Sequence, residues 1–344
     1  MAGKITMQHL GDRLGVSKYT VSQALSGKPG VSETMRRQII SLARTLGYRL
    51  PPESMARPAA DAPAGLAADS SSGAKTLLIC MAKEHREEPT FWKRVLDGLY
   101  GACRDYGWSP HMVEPGDPVA LAAGGIVVVG RVSVADLLAL RPLALPTVLL
   151  DHEEPLIEAD VILNANLEAA RTACHHLLAA GCRRIVLIGR DSFAVSFKER
   201  WWGCRLAADE WRAKRPEEAA RLTKWTITYG GPTAAWEMQL ARRLDGTAPG
   251  DEPDGFLCVN DQIALKLLPL LAARGIRVPE TCRVVGIDNI TAAAGAEPPL
   301  TTVAMAKEAL GRRAIEAIER KRSNPGSVSE KIILSARLIV RRSG

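Results

Sequence analysis

The feature that most restricts what this chain can fold into is a rhythm in its last three-quarters. Short, wholly apolar runs recur there: TLLICMA at 76–82, GIVVVG at 125–130, TVLLD at 147–151, RIVLIG at 184–189, GFLCV at 255–259 and RVVGID at 283–288. Helical stretches separate most of them, such as the amphipathic FWKRVLDGLYGACRDYGW at 91–108. A strand with one wet face alternates apolar and polar residues. A run that is apolar throughout is buried on both faces, which calls for a parallel sheet covered by helices on each side. There are too many such units for one small sheet, so the pattern predicts two doubly wound α/β lobes. One place is tight: between SPHMVEPGDP and GGIVVVG there is barely room for a helix. Ligands of open sheets sit beyond the carboxyl ends of the strands.

The first fifty residues follow a different period. MQHLGDRL carries Met7, Leu10 and Leu14 on one helical face; KYTVSQAL carries Val21, Ala24 and Leu25; and a third helical pattern carries Met35, Ile39, Leu42, Ala43 and Leu46. Gly15 breaks the first helix, Ser17 stands where an N-cap is wanted, and Gly47 ends the third. Two helices joined by a tight turn, with a third packed across them, is an arrangement that presents one helix to the DNA major groove.

Charge agrees with that reading. The formal net charge is +7, and residues 1–60 hold nine Lys or Arg against three acids, while the other 284 residues are about neutral. A basic head on a neutral body points to phosphate binding by the head alone. Seven cysteines (80, 103, 174, 182, 204, 258 and 282) form no C-x-x-C pair, and several lie in apolar runs. They read as reduced thiols rather than a disulfide framework or a metal site. No signal peptide and no apolar run near eighteen residues is present, so a soluble cytoplasmic protein is expected, with no membrane partner.

GVSKYTVSQALSG, followed by VSETMRRQI and ARTLGY, resembles the DNA-binding head of the lactose-repressor (LacI/GalR) family of bacterial regulators. The resemblance continues through HLLAAGCRRIVLIG, CVNDQIALKLL, RVVGIDN and PPLTTVAM in the body, a fold related to periplasmic sugar-binding proteins. It implies a helix-turn-helix domain at 1–50, a linker at 51–75 and an effector-binding and dimerisation domain at 76–344. The first lobe would take about 76–163 and 303–325, and the second about 164–302 and 326–344. In the second helix, the resemblance puts base-edge contacts on Lys18, Tyr19 and Gln23; a lysine can donate to guanine and a glutamine can pair with adenine. Ser17, Thr20 and Ser22, with Thr6, read as phosphate contacts that set register. The linker, LPPESMARPAADAPAGLAADSSSGA, departs from the family. Prolines 51, 52, 58 and 63 preclude one continuous helix, and Met55-Ala56-Arg57-Pro58 stands where a minor-groove leucine is expected, with Leu66 far beyond it. No hinge wedge is assigned.

Four polar residues fall at strand ends or just past them: Asp151, Asn260, Asp288 and, at the start of the helix after RIVLIG, Arg200. Each matches a position that lines the effector pocket in the family. Two carboxylates, a guanidinium and an amide can bind several hydroxyls, which suits a sugar or similar polyol. Phe91, Trp92, Phe193, Phe197 and Trp201 are available to stack on an apolar sugar face, with Phe91 placed among the effector residues, or to serve as core. Asp261 and Asn289 are equally read as caps.

An enzyme finds no support. There is no G-x-G-x-x-G after the first strand, no Walker A loop, no G-x-S-x-G and no H-E-x-x-H. Adjacent His175 and His176 diverge around a helix and suit a solvated face or a subunit contact better than a metal. No catalytic residue, metal or cofactor is expected. The sequence thus predicts a homodimeric regulator, a repressor of an inverted-repeat operator, controlled by a small polar effector of carbohydrate type. The alternatives are a nucleobase-type or protein co-effector, and a sugar-binding sensor without specific DNA binding.

Overall fold

The structure is a computed structural model that describes residues 6–14, 16–26, 31, 35–36, 38–39, 42–43, 75–88, 90–117, 122–230 and 232–344. The chain divides into two compact units, 1–72 and 73–344. The linker, with Met55 and Leu66, lies outside the described residues, as do Gly15, Leu46 and Gly47; of the third helical pattern Met35, Ile39, Leu42 and Ala43 are described.

In the first unit, helices Met7–Leu14 and Lys18–Leu25 are joined by a turn in which Val16 N donates to Gly11 O at 3.0 Å. Gly11 is needed there, because a Cβ would come within 2.6 Å of the Val16 carbonyl. Ser17 caps the second helix: its Oγ accepts from Thr20 N at 3.1 Å, satisfying one of the amides a helix start leaves open. Leu10, Val21, Ala24 and Leu25 are buried together with Ile39 and Ala43, and Met7, Leu14, Met35 and Leu42 pack around them. The apolar spacing read from the sequence is this core.

The second unit holds two sheets with six strands each among the described residues, and these are the two parallel lobes expected. The first is ordered β11-β5-β4-β3-β1-β2, with β1 Lys75–Met81, β2 Trp108–Val113, β3 Gly125–Val129, β4 Thr147–Leu150, β5 Asp160–Asn164 and β11 Lys331–Leu334. The second is ordered β12-β10-β9-β8-β6-β7, with β6 Arg184–Gly189, β7 Arg221–Thr226, β8 Gly255–Cys258, β9 Arg283–Asp288, β10 Thr301–Ala304 and β12 Arg337–Ile339. Every pairing is parallel except β10 with β12. The central strands β1, β3, β4, β6, β8 and β9 are the apolar runs of the sequence, covered on both faces.

The C-terminal segment differs from expectation. Residues 326–344, expected wholly in the second lobe, divide between the sheets: β11 pairs with β5 in the first, and β12 joins the second. The physical reason is strand pairing, which a single extended stretch such as KIILSARLIV can split between two sheets. The chain therefore crosses between lobes at 164–166, 304–307 and 334–337. These crossovers are tied to one another: Ala165 N donates to Leu334 O at 2.9 Å, and Ala306 N to Asn164 Oδ1 at 3.2 Å. Helix Lys307–Ser323 returns to the first lobe and lies against helix Phe91–Tyr106, where Gly98 and Gly311 let the two backbones touch.

Candidate functional site

On the head, the second helix turns Val21, Ala24 and Leu25 inward, which leaves Lys18, Tyr19, Ser22 and Gln23 on its outer side. Tyr19 is 71% exposed, far more than a packing residue would be. Gln23 Nε2 donates to Tyr19 Oη at 2.8 Å, so the two side chains, one helical turn apart, are already held as a pair. Ser17 and Thr20 share a hydroxyl–hydroxyl bond of 2.9 Å beside the cap, and Thr6 stands exposed before the first helix. The face carries donors and acceptors suited to base edges and phosphates.

In the body, Asp288 bonds the Arg200 guanidinium and Asp151 feels its charge, while Asn260 bonds Tyr229 and Ile263 instead. Arg200 is 4% exposed. Its Nε and Nη2 donate to Asn166 Oδ1 at 3.1 and 2.9 Å, Nη2 also reaches Asp288 Oδ1 at 3.3 Å, and Nη1 donates to the Val259 carbonyl. Phe197 lies under the guanidinium, 5.8 Å from its centre. Asn166 Nδ2 donates in turn to Glu199 Oε2 at 3.1 Å. Asp288 and Asn289, at the end of β9, have φ of 116° and 49°, and Asp151, just past β4 in the other lobe, has φ of 54°. Left-handed backbone at non-glycine residues costs energy and concentrates where a side chain must be aimed.

The carboxyls feel this crowding. Burial pushes Asp151 up to about 7, against the pull of Arg200 and with the help of Asp288. Burial also raises Asp288, opposed by Arg200 and Lys307. At that value Asp151 lies between its neutral and charged forms near neutral pH. Lys307, 1% exposed, was not anticipated: its ammonium donates to the Asp288 carbonyl from the first residue of helix Lys307–Ser323.

Asn260 caps helix Asp261–Ala272 through its Oδ1, which accepts from Ile263 N at 3.1 Å. Its Nδ2 starts a relay that crosses from one lobe to the other. Asn260 Nδ2 donates to Tyr229 Oη at 2.8 Å, and Tyr229 Oη donates to Gln262 Oε1 at 2.7 Å. Gln262 Nε2 then donates to Glu88 Oε1 at 3.1 Å and Thr90 Oγ1 at 3.2 Å. Glu88 also accepts the amides of Thr90, Phe91 and Trp92, so it caps helix Phe91–Tyr106 in the first lobe while holding Gln262 of the second. Glu88, Tyr229 and Gln262 were missed in the sequence. The only signal was an acid three residues before an amphipathic helix.

The other residues sort as follows. Phe91 packs against the cores of both lobes, and Trp92 lies 5.0 Å from the His85 ring. Phe193 and Phe197 surround Tyr229, with ring centroids 4.9 and 5.5 Å away. Trp201 instead lies beneath Lys224. Asp261 is a buried tie, accepting from Thr302 Oγ1 at 2.5 Å and Ile290 N at 2.9 Å, rather than a cap. Asn289 Oδ1 is taken by Arg341. His175 pairs with Glu210 at 2.8 Å, so the His pair has no part in the Arg200 cluster. All seven cysteines are buried thiols, and among the described residues no group of three His, Cys, Asp or Glu could hold a metal.

Comparison with known proteins fits this geometry. The periplasmic binding protein-like domain family matches residues 174–344. The chain is 23% identical to the HTH-type transcriptional regulator DegA of Bacillus subtilis strain 168, over 99% of this chain and 98% of that protein. Its fold superposes on the transcriptional regulator CelR–cellobiose complex with a TM-score of 0.66 at 21% identity, covering 99% of this chain and 100% of the other. The lac repressor dimer bound to operator and the anti-inducer ONPF gives a TM-score of 0.64 at 17% identity, over 99% of both. These relatives are regulators, not enzymes. Along almost its whole length the chain is similar to helix-turn-helix transcriptional regulators of the LacI/GalR family.

Proposed function

We propose that this chain is a cytoplasmic repressor that binds an inverted-repeat operator as a homodimer and answers to a small polyhydroxylated effector, of carbohydrate type, held between its lobes. No catalytic step is assigned to it. The carrying observation is the polar cluster itself: Arg200 and Asp288 belong to one lobe and Asp151 to the other, so a ligand bonded to both bridges them. Asn260 and Phe91 complete the proposed lining, and Lys18, Tyr19 and Gln23 form the proposed reading face, with Thr6, Ser17, Thr20 and Ser22 on phosphates. One head reads only a few base pairs, so useful specificity needs two heads on a two-fold site. Boundaries near 50 and 75 divide head, linker and body in this reading.

The test pairs selection from a randomised DNA library with ligand response. Lys18→Ala and Gln23→Ala should relax base preference while weak, salt-sensitive binding persists. Arg200→Ala and Asp288→Ala should abolish the effector response while operator binding remains. Unchanged base preference, or a normal response in both cleft variants, overturns the corresponding assignment. A nucleobase-type effector is the second reading, favoured by the aromatic group of Phe193, Phe197 and Tyr229 beside Arg200. Stabilisation by a purine and not by any sugar would select it.

A further inference from the structure

Next to Arg200, the cleft sets a carboxyl beside a buried amide nitrogen that makes no hydrogen bond of ordinary length among the described residues. Asn164, at the end of β5, is 4% exposed; its Oδ1 accepts from Ala306 N at 3.2 Å, but its Nδ2 is buried without a hydrogen-bond partner. Asp151 lies beside it, near enough for the amide to favour the charged carboxyl, though no hydrogen bond of ordinary length joins the two. Among the described residues the Asp151 carboxylate has no other hydrogen-bond partner, and its backbone is anchored by a bond from Asp151 N to Ile162 O at 2.9 Å. A buried amide donor left open costs about 1–3 kcal/mol, so its place is normally filled.

Few chemical groups satisfy both sides. A hydroxyl donates one hydrogen bond and accepts others, so it can donate to Asp151 and accept from Asn164 Nδ2 at once. An ammonium can donate to Asp151 but leaves Asn164 unsatisfied. A phosphate or carboxylate can accept from Asn164 but brings a second negative charge to Asp151, which already lies within electrostatic reach of Asp288 and Glu199. Arg200 offers little to offset that, since its nitrogens already donate to Asn166, the Val259 carbonyl and Asp288. Cations nearby are Lys307, which acts on Asp288, Lys331, which acts on Glu199, and Arg131, exposed just past β3 and felt by His152.

We propose that Asp151 and Asn164 form a hydroxyl-reading subsite, which makes the effector an uncharged polyol and sets the cleft against phosphorylated and carboxylated sugars. This rests on the effector-cleft reading above. It adds Asn164 as a specificity-determining residue and charge as the criterion.

The test is calorimetric titration of the full chain at pH 8, where Asp151 is ionised. The probes are ribose, glucose and cellobiose, with ribose 5-phosphate, glucose 6-phosphate and gluconate as charged counterparts. At least one neutral sugar should bind about tenfold or more tightly than its charged counterpart. Asp151→Asn, which tolerates the left-handed backbone, should shrink that ratio by about tenfold. Asn164→Asp should weaken the neutral sugar and widen the ratio. Far-ultraviolet circular dichroism and operator binding confirm that each variant is folded. A charged sugar that binds as tightly as its neutral partner, held for example by Arg131, overturns the subsite and leaves the carbohydrate cleft standing. So does a ratio that Asp151→Asn leaves unchanged. If no sugar binds at all, the carbohydrate reading falls and the subsite falls with it.

Discussion

Gln262→Ala should open the body. Among the described residues Gln262 is the only link of the Asn260–Tyr229 relay that bonds to the first lobe, at 3.1 Å to Glu88 and 3.2 Å to Thr90. The bond to Glu88 ends on a carboxylate and is worth about 1.5–3 kcal/mol, a neutral one about 0.5–1.5. Much of that is recovered when the side chain is cut. Glu88 keeps the amides of Thr90, Phe91 and Trp92, Tyr229 keeps Asn260, and all three groups are half-buried, so water can replace the lost partner. A net loss of about 1–2 kcal/mol across the cleft remains, which shifts the closed-to-open ratio by about 5- to 30-fold. The assay is a distance distribution between spin labels on exposed Lys93 of the first lobe and Thr228 of the second, with thermal unfolding in parallel. The open population should grow while the melting temperature falls only slightly, and Glu88→Gln, which keeps an acceptor for Gln262 but drops its charge, should give a smaller effect. A lower melting temperature with an unchanged distance distribution refutes the reasoning, because the relay would then be ordinary packing.

Other outcomes follow from the same geometry. Ser17→Ala removes the cap on the second helix and should cost the head about 1 kcal/mol, read as earlier loss of its helical signal on heating and weaker operator retention. Gly311→Ala sets a methyl against the backbone of helix Phe91–Tyr106 and should destabilise the first lobe by about 1–3 kcal/mol in denaturant unfolding; a neutral result would mean the helices can separate without cost. Asp151, raised in the folded state to about 7, binds its proton more tightly there than in the unfolded chain. Its contribution to stability is therefore greatest at low pH and falls as pH rises from the unfolded value through about 7. Asp151→Asn should flatten stability against pH over that window, and an unchanged profile would show that the carboxyl is not desolvated.

What was legible in the sequence was whatever burial on both faces writes as a continuous signal. Six of the eight interior strands are such runs, the exceptions being β5 and β10. The edge strands β2, β7, β11 and β12 are not, because a strand with one neighbour and a wet face carries polar residues such as Ser109 and His111 or Lys224. The split of residues 331–339 between the two sheets depends on which edge each segment meets, and that is a tertiary fact. Site residues divide the same way. Asp151, Asp288 and Asn260 are visible because the end of an apolar strand marks a place. Asn166, Glu199, Tyr229 and Gln262 are marked mainly by partners 30 or more residues away, as in the Asn166–Arg200 and Gln262–Glu88 bonds, so no local pattern announces them. Asn164 is harder still, since its interest lies in a bond it lacks.

These placements also decide how an effector can act. A ligand shifts a two-state equilibrium only by the difference in its affinity for the two states. If all its contacts came from one lobe, open and closed forms would hold it equally, and nothing would be transmitted. Here Asp151 and Asn164 lie at strand ends of the first sheet and Arg200, Asn260 and Asp288 in the second lobe, so a ligand of the proposed kind would find the full set of bonds only when the lobes are together. Gln262 and Glu88 already hold the lobes in that arrangement, and an effector must add to or replace that hold. Lys307 carries the consequence further. Its buried ammonium on the Asp288 carbonyl ties the end of β9 to the first turn of helix Lys307–Ser323, which lies on the first lobe against helix Phe91–Tyr106. A displacement of Asp288 by ligand must therefore move that helix or break a buried charged bond, and breaking it is the costlier course.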